Sequence, residues 1–215
     1  MRKLDRAAVP APPCLASYRH GAQTWKDLAS EDKEQLRGAL ARLQGRRCAY
    51  CEGPLDELGH HIEHFRRKSQ HPMLTFAWAN LFWSCDRTDC CGHYKDAGAG
   101  PYLPGDLLDP CNDDPDLFFR FRSNGTISVR EGLKPVPRHR ALETLRVFNL
   151  DADQGHLRAM RRRAVETYQA VEPGILEMLS ESSEADRQAF IAEEIDRTAG
   201  EPFSTVIRHL FEDLP

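Results

Sequence analysis

Three short stretches between residues 48 and 95 contain most of the reactive side chains of this chain of 215 residues. They are CAYC (48–51), HHIEHFRRKS (60–69) and SCDRTDCCGHYK (84–95). In the first stretch Cys48 and Cys51 form a C-x-x-C pair, a spacing at which two thiolates bind one zinc ion. One such pair supplies half of a four-ligand structural site, so zinc is predicted only if a second pair follows.

The third stretch contains the second pair, formed by Cys85 with either Cys90 or Cys91. Two thiolate pairs are enough for a structural zinc site with four cysteine ligands. Because Cys90 and Cys91 are adjacent, both side chains cannot easily point inward, and one of them is expected to be a bystander. We select Cys91, because Gly92 directly after it frees the backbone to turn after the sulfur. The sequence therefore predicts structural Zn²⁺ bound by Cys48, Cys51, Cys85 and Cys91, with Cys14 and Cys111 incidental.

The middle stretch places histidines and a glutamate so densely that a protein core would not tolerate them without partners. As a helix, His60-x-x-Glu63-His64 would be an inverted zinc-peptidase signature, with two imidazoles on one helical face. Gly59 directly before it and the basic run after it disfavour a helix. A strand and loop fit the stretch better. In that arrangement a carboxylate and a histidine are adjacent on a strand, and one of them binds a divalent metal while the other activates water.

Composition limits the class of protein. Apolar residues make up 40% of the chain and charged residues 29%, with three Trp and ten Phe, which predicts one folded domain with a core. No run approaches the roughly 20 apolar residues that a membrane span needs, and residues 1–15 lack the apolar centre of a signal peptide. We therefore expect a cytoplasmic protein without membrane contact. The odd number of cysteines, seven, then favours metal ligands and buried thiols over disulfides.

The net charge of −4 conceals a division along the chain. Residues 120–170 contain 11 Lys or Arg against 5 Asp or Glu, an excess of +6. Residues 172–215 contain 3 basic against 11 acidic side chains, which gives −8. This asymmetry indicates a basic face for polyanions and an acidic face for a protein partner. Ordinary solvated helix faces would give the same counts, so both interpretations stay open.

The pattern in the rest of the chain favours a mixed fold. Residues 1–23 are rich in Pro and Ala and predict an extended arm. Ser30 is a candidate N-cap for a helix that Gly45 ends. Asn124-Gly125, between two β-prone runs, predicts a tight hairpin turn. Helical periodicity beyond this hairpin predicts four helices, at 138–148, 153–171, 184–199 and 204–213.

Taken together, these motifs resemble those of the HNH nucleases. The resemblance rests on the C-x-x-C pair, IEHFR-x-KS at 62–69, Trp78-x-Asn80-Leu81, Cys85 and CGHYK at 91–95. More narrowly, the sequence is similar to the PtuB-type HNH subunit of bacterial Septu and retron anti-phage systems. This similarity covers most of the first 165 residues, including LDP at 108–110 and DDP at 113–115.

The resemblance implies an α+β fold built on the ββα-metal core of HNH nucleases, with a zinc knuckle of four cysteines. We expect this core at residues 47–110, preceded by an N-terminal arm and helix at 1–46. Residues 111–215 would then contain the β-hairpin and a mostly helical region available for partner docking.

The resemblance also implies roles for individual residues. His64 would be the general base that takes a proton from the attacking water, and Asn80 would orient the segment that carries it. Glu63 and His93 would bind the catalytic Mg²⁺ or Mn²⁺, which neutralises the scissile phosphate. The expected nucleic-acid contacts are Arg66, Lys68 and Lys95.

The implied activity is that of a metal-dependent HNH endonuclease that hydrolyses phosphodiester bonds. It would be the effector of an anti-phage complex with a PtuA-type ATPase and, in a retron, a reverse transcriptase with its RNA–DNA hybrid. The alternative is a zinc-stabilised nucleic-acid-binding or assembly subunit with a vestigial nuclease site. Gly92 favours this alternative, because it stands where the family motif has His or Asn and displaces His93 by one position. His60 and His61 either supplement the metal ligands or cover the edge of the zinc knuckle.

Overall fold

A computed structural model describes residues 1–153, 155–171 and 173–212, which form helices and two small antiparallel sheets. The strands are β1 (His60–His64), β2 (Leu81–Cys85), β3 (Phe119–Phe121) and β4 (Ile127–Val129). The first three helices are α1 (Ser30–Gln44), α2 (Leu55–Leu58) and α3 (Cys91–Ala97). The later helices are α4 (Pro135–Val147), α5 (His156–Val171), α6 (Ile175–Glu181), α7 (Glu184–Thr198) and α8 (Ser204–Phe211). Within these described ranges, no helix has the length and apolar character needed to cross a membrane.

Helix α1 leads into the loop that contains the first two cysteines. Leu36, Ala39, Leu40 and Leu43 are spaced to lie on one side of the helix, and all four are buried. Gly45 ends the helix in the left-handed conformation, at φ 60°, and donates its N–H to the Ala41 carbonyl at 2.8 Å. Ser30 is the first helical residue and not the predicted N-cap. The N-cap is extended Ala29, whose carbonyl already accepts the Lys33 N–H at 3.0 Å.

Strands β1 and β2 form an antiparallel pair in which His60 lies opposite Cys85. Helix α3 follows β2, so β1, β2 and α3 form a ββα unit. The Cys91 N–H at the start of α3 donates to the Phe148 carbonyl at 2.8 Å, which joins this unit to the end of α4. This order of elements is consistent with the ββα-metal core expected from the resemblance.

The strand conformation of residues 60–64 confirms the choice of a strand over a helix. At about 3.3 Å per residue, His60 and His64 are about 13 Å apart along the strand. Two imidazoles at that separation cannot bind one metal ion. The inverted zinc-peptidase interpretation is therefore wrong.

Strands β3 and β4 form the predicted hairpin. Gly125 adopts a φ of 87°, and its N–H donates to the Arg122 carbonyl at 2.9 Å. The Arg122 N–H donates to the Thr126 carbonyl, also at 2.9 Å. A Cβ at Gly125 would lie 2.0 Å from the Arg158 carbonyl oxygen of α5. The turn therefore packs directly against the α5 backbone, with no room for a side chain.

Replacing Gly125 with alanine is expected to lower the free energy of unfolding by about 2–5 kcal/mol, the sum of backbone strain and overpacking. Gly132→Ala is the matched control, because Gly132 also has a positive φ of 75° but an added Cβ there meets nothing within 4 Å. The free energy of unfolding of the control should fall only by the contribution of backbone strain, about 1–2 kcal/mol. Denaturant unfolding of both variants measures the difference, and equal losses would contradict the tight packing on α5.

Helices α4, α5, α7 and α8 correspond to the four predicted helices, and α6 has no predicted counterpart. Helix α4 begins at Pro135, earlier than predicted, because proline is tolerated in the first helical turn. Helix α5 begins at His156 and not at residue 153. Residue 154 and the predicted end of α8 at residue 213 lie outside the described residues.

One apolar core joins the C-terminal helices to the ββα unit. Its buried residues include Phe82 of β2, Phe148 after α4, Leu157 of α5 and Phe211 of α8. Hydrogen bonds reinforce this packing, since the Arg47 guanidinium donates to the Ala199 carbonyl at 2.8 Å and to the Glu201 carbonyl at 2.7 Å. The C-terminal helices thus pack on the loop that contains the first cysteine pair.

Candidate functional site

Four buried sulfur atoms converge within 4.8 Å of one another, those of Cys48, Cys51, Cys85 and Cys91. All four cysteines are free thiols. Backbone N–H groups point at two of the sulfurs, from Cys85 to Cys48 Sγ and from Gly53 to Cys51 Sγ, both at 3.4 Å. Four converging sulfurs with N–H donors match the ligand set of a structural zinc site. This cluster could therefore bind a metal such as zinc.

The sulfur cluster contains Cys91 and not its neighbour. Cys90 Sγ lies 4.0 Å from Cys85 Sγ but is outside the group of four whose sulfurs all lie within 4.8 Å. Cys91 itself adopts the left-handed conformation, with φ 56°. The backbone therefore turns at the cysteine and not, as expected, at Gly92.

The surroundings of Gly92 leave no room for a side chain at this position. A Cβ at this position would lie 2.8 Å from Glu63 Oε2 and 3.0 Å from Ser84 Oγ. The Gly92 N–H also donates to Ser84 Oγ at 3.0 Å. The Glu63 carboxylate thus fills the volume that a side chain at position 92 would need. This packing gives a physical reason for glycine where the family motif has His or Asn.

The Lys95 ammonium is buried between two carboxylates. Its Nζ lies 2.7 Å from Glu63 Oε1 and 2.5 Å from Asp96 Oδ1, and it donates to the His64 carbonyl at 3.1 Å. The side chain is 0% exposed, because α3 directs it at β1 and not at solvent, whereas the predicted phosphate contact needs an exposed ammonium. Burial lowers the pKa of Lys95, but the charges of Glu63 and Asp96 outweigh burial and raise it above the ordinary value.

His64 is a buried imidazole with a defined tautomer. Its Nε2 lies 3.0 Å from the Thr75 carbonyl oxygen, which can only accept, so in the neutral ring Nε2 carries the proton and Nδ1 is the acceptor. The Trp25 ring packs edge-on, with centroids 4.5 Å apart. Burial is the main cause that lowers the pKa of His64 to about 4. The ring is therefore neutral near pH 7 and can take up a proton.

Asn80 connects two backbone segments beside His64. Its Oδ1 accepts the Arg66 N–H at 2.7 Å, and its Nδ2 donates to the Arg66 carbonyl at 3.0 Å. The same Nδ2 donates to the Leu74 carbonyl at 3.2 Å. These bonds hold the segment that follows β1, as a residue that orients the base would do.

His61, Asp86 and His93 form a second group of candidate metal ligands, with one ligand atom from each within 4.8 Å of the other two. The His61 and His93 ring centroids are 4.0 Å apart. Asp86 Oδ1 lies 2.9 Å from His61 Nδ1 and 3.8 Å from His93 Nε2. His61 Nε2 is in turn 3.4 Å from Glu63 Oε2. His61 therefore contacts both predicted metal ligands, Glu63 and His93.

Two residues of this second group, His61 and Asp86, were not assigned by the motifs. The sequence left open whether His60 or His61 serves the metal, and the structure places His60 on Trp83, with ring centroids 4.6 Å apart. Asp86 was missed, although it follows Cys85 directly. A Cβ at Gly59 would lie 2.7 Å from Asp86 Oδ2, so the glycine makes room for this carboxylate. The signal that could have identified it is an acidic residue directly after Cys85, at the end of the strand that pairs with the histidines.

Several candidate site residues line one cavity of about 410 Å³. Its lining includes His61, Glu63, His64 and His93. Lys68 lines this cavity and also a neighbouring cavity of about 810 Å³ formed largely by residues 20–26. Arg66 and Lys68 are exposed, so a polyanion can reach them, unlike Lys95. The cleft thus combines carboxylate, imidazole and exposed cationic groups.

Much of the basic excess at residues 120–170 is used inside the fold. Arg161 is buried and donates to the Gly125 carbonyl at 2.6 Å and the Leu150 carbonyl at 2.9 Å. Arg158 pairs with Asp151 at 2.7 Å. Further ion pairs join Arg130 to Glu212, Arg140 to Asp113 and Arg146 to Glu143. Each of these five arginines therefore has an acceptor within the chain.

The antiparallel strand pair, the helix after it, the Glu63-His64 dipeptide on the first strand and the four clustered cysteines define a class of site. They are consistent with the ββα-metal core of HNH proteins. No protein-family model matches the chain.

Three curated proteins are similar to parts of this chain. The Septu protein PtuB of Bacillus mycoides (strain KBAB4) is 28% identical over 130 residues, which are 47% of this chain and 43% of that protein. The Septu protein PtuB of Bacillus thuringiensis is 39% identical over 82 residues, 37% of this chain and 32% of that protein. The "Retron Vc95 putative HNH endonuclease" of Vibrio cholerae serotype O1 biovar El Tor is 26% identical over 156 residues, 66% of this chain and 71% of that protein.

The chain thus spans less than half the length of the two Septu relatives. At this modest identity, the three similarities support a PtuB-type HNH family protein.

Proposed function

We propose that this protein is a metal-dependent HNH endonuclease that hydrolyses phosphodiester bonds of nucleic acid. The observation that supports the proposal is a cleft lined by Glu63, His64, His93 and the exposed Lys68. Arg66, also exposed, lies on the segment that follows β1. A proton acceptor, candidate cation ligands and phosphate-binding charges are the three groups that this reaction needs.

His64 is the general base in this proposal. The Thr75 carbonyl accepts from Nε2 at 3.0 Å, which leaves Nδ1 to take the proton of the attacking water. A well-placed base of this kind accelerates a reaction by about 10²–10⁴-fold. Asn80 is a positioning residue, because it holds the backbone after β1 and touches no reacting atom.

Glu63 and His93 are the residues that the resemblance implies as ligands of the divalent cation, Mg²⁺ or Mn²⁺. When bound, the cation would neutralise charge on the scissile phosphate and on the leaving oxygen. The Glu63 carboxylate is kept in place by the Lys95 ammonium at 2.7 Å and by the space at Gly92. Lys95 is therefore a positioning residue in this proposal and not a phosphate contact.

The cysteine cluster supplies the frame for this site. Cys85 ends β2 and Cys91 begins α3, while Cys48 and Cys51 come from the loop before β1. Structural zinc bound by these four thiolates would fix α3 against the sheet, and with it the position of His93 relative to Glu63.

The test of the proposed function is a cleavage assay. The purified protein, alone and with a co-purified partner ATPase, is incubated with single- and double-stranded DNA and RNA in Mg²⁺ or Mn²⁺. Cleavage should stop on chelation and return when the divalent ion is restored, with the cysteine-bound metal monitored throughout. Intact substrates in every combination would contradict the proposal.

A zinc-stabilised nucleic-acid-binding or assembly subunit is the second candidate. The contact between Lys95 Nζ and Glu63 Oε1 favours it, because a carboxylate already neutralised by an ammonium has less charge to offer a metal ion. This candidate predicts nucleic-acid binding without divalent-ion-dependent cleavage, and a metal content limited to the cysteine cluster.

We also propose that the protein acts in anti-phage defence together with a PtuA-type ATPase. The Septu names of two relatives support this partner. The retron name of the third supports a reverse transcriptase with its RNA–DNA hybrid as a further component. The acidic side chains exposed on α7, among them Glu193 and Asp196, are the proposed docking charges.

Reversing two of these charges, with Glu193→Lys and Asp196→Lys together, is expected to slow association with the ATPase by about tenfold at low salt, because complementary charges act mainly on association rate. The matched control is Glu31→Lys with Glu34→Lys, the same change of charge on exposed positions of α1. Surface plasmon resonance at two salt concentrations measures both rates. Equal rates for the two double variants would place the interface away from α7.

A further inference from the structure

Two imidazoles and one carboxylate converge from three separate elements at the edge of the cleft. His61 lies on β1, Asp86 directly follows β2, and His93 lies on α3. The contacts of Asp86 Oδ1 with His61 Nδ1 at 2.9 Å and His93 Nε2 at 3.8 Å resemble the separations of about 3–4 Å between ligands that share one ion. All three side chains are partly exposed, so an ion can reach them from solvent.

The backbone fixes the carboxylate of this group. Asp86 donates its N–H to the Leu58 carbonyl at 3.3 Å, and a Cβ at Gly59 would lie 2.7 Å from Asp86 Oδ2. Gly59 has a φ of 67°, a conformation that favours glycine. The turn before β1 is therefore shaped around Asp86 and holds it beside His61.

The Glu63 carboxylate, unlike that of Asp86, faces a buried ammonium group. Its Oε1 lies 2.7 Å from the buried Lys95 ammonium, and its Oε2 lies 3.4 Å from His61 Nε2. His61 thus separates the Glu63 carboxylate from the pair formed by Asp86 and His93. With its charge balanced by Lys95, Glu63 is better suited to orient His61 than to be the main anionic ligand.

We propose that His61, Asp86 and His93 bind a divalent transition-metal ion, and that this ion, and not Mg²⁺, is the cation of the cleft. As an assignment of the nuclease cation the proposal rests on the proposed function, but as a binding site it stands without it. Two nitrogen donors and one carboxylate suit Mn²⁺, Co²⁺, Ni²⁺ or Zn²⁺, whereas Mg²⁺ prefers oxygen ligands. Affinity should rise from Mn²⁺ through Co²⁺ to Ni²⁺.

The experiment is a Co²⁺ titration of the purified full chain with its cysteine cluster already filled by zinc. Calorimetry gives the stoichiometry and affinity, and visible absorption reports the ligands, since a nitrogen and oxygen site lacks thiolate-to-metal bands. We expect one further ion per chain. Each of His61→Ala, Asp86→Asn and His93→Ala should weaken Co²⁺ binding at least about tenfold. Glu63→Gln, which changes a residue beside the group that already faces the Lys95 ammonium, should weaken Co²⁺ binding less than any of these three variants.

His71→Ala is the matched control, because it removes an imidazole outside the group and should leave the titration unchanged. Thermal melts and zinc content verify that each variant is folded. The proposal is overturned if the wild type binds no ion beyond the cysteine-bound zinc. It is also overturned if Asp86→Asn binds Co²⁺ normally while Glu63→Gln does not.

A cleavage assay run in parallel separates this proposal from the proposed function. Ion binding at the group without cleavage of any substrate would support the site and contradict the nuclease. Cleavage in Mg²⁺ that Asp86→Asn leaves intact would support the nuclease and overturn the assignment of its cation.

Discussion

Replacing His64 with alanine is expected to lower the rate of nucleic-acid cleavage by about 10²–10⁴-fold, the usual contribution of a positioned general base. The expectation follows from the buried neutral ring, whose Nε2 is engaged by the Thr75 carbonyl while Nδ1 remains the acceptor. Cleavage is measured under single-turnover conditions in Mn²⁺, with the partner ATPase present. His71→Ala, which removes an imidazole elsewhere, should cleave at the wild-type rate.

The alanine variant also leaves a gap beside Trp25, so a second variant separates chemistry from packing. In His64→Gln the side-chain amide can still donate to the Thr75 carbonyl, but it cannot take up a proton. Both variants should lose cleavage, and His64→Gln should melt closer to the wild type than His64→Ala does. Cleavage by His64→Gln at the wild-type rate would remove His64 from the role of base.

Replacing Cys48 with serine is expected to release the structural metal and unfold the ββα unit. Binding of structural zinc contributes on the order of 10 kcal/mol to the folding of small zinc domains, so loss of one thiolate ligand removes a large part of the stability. Zinc content by mass spectrometry and thermal melting by circular dichroism measure the effect. Cys14→Ser, outside the sulfur cluster, should retain both the metal and the fold.

The adjacent cysteines give this prediction its sharpest comparison. Cys91 belongs to the group of four sulfurs and Cys90 does not, although they are neighbours in sequence. Cys91→Ser should therefore lose the metal, whereas Cys90→Ser should retain it. The reverse result would exchange the two cysteines as ligands.

Residue types and spacing were sufficient to predict the cysteine cluster and the strand that bears Glu63 and His64. The C-x-x-C pair fixes two ligands locally, and Gly59 with the basic run after His64 disfavours a helix at the middle stretch. These features depend on short-range backbone preferences, which the local residue types determine. The hairpin turn at Gly125 was predictable for the same reason.

The orientation of α3 was not predictable in this way. The motif identifies Lys95 as a lysine near a phosphate-binding cleft, but whether its ammonium meets solvent or Glu63 depends on how the helix is rotated against β1. That rotation is set by packing, including the missing side chain at Gly92 and the hydrogen bond from Cys91 to Phe148. Asp86 was missed for a related reason, because only the strand pairing brings it beside His61.

Arg47 links the metal core to the end of the described chain. It directly precedes Cys48, and its guanidinium donates to the Ala199 and Glu201 carbonyls and to Ser204 Oγ. Lifting residues 199–204, which join α7 to α8, away from Arg47 would break these bonds and leave a largely buried guanidinium without acceptors, a costly step. In mechanical terms, a load applied to residues 199–204 reaches Cys48, a member of the sulfur cluster, through the single peptide bond that joins it to Arg47.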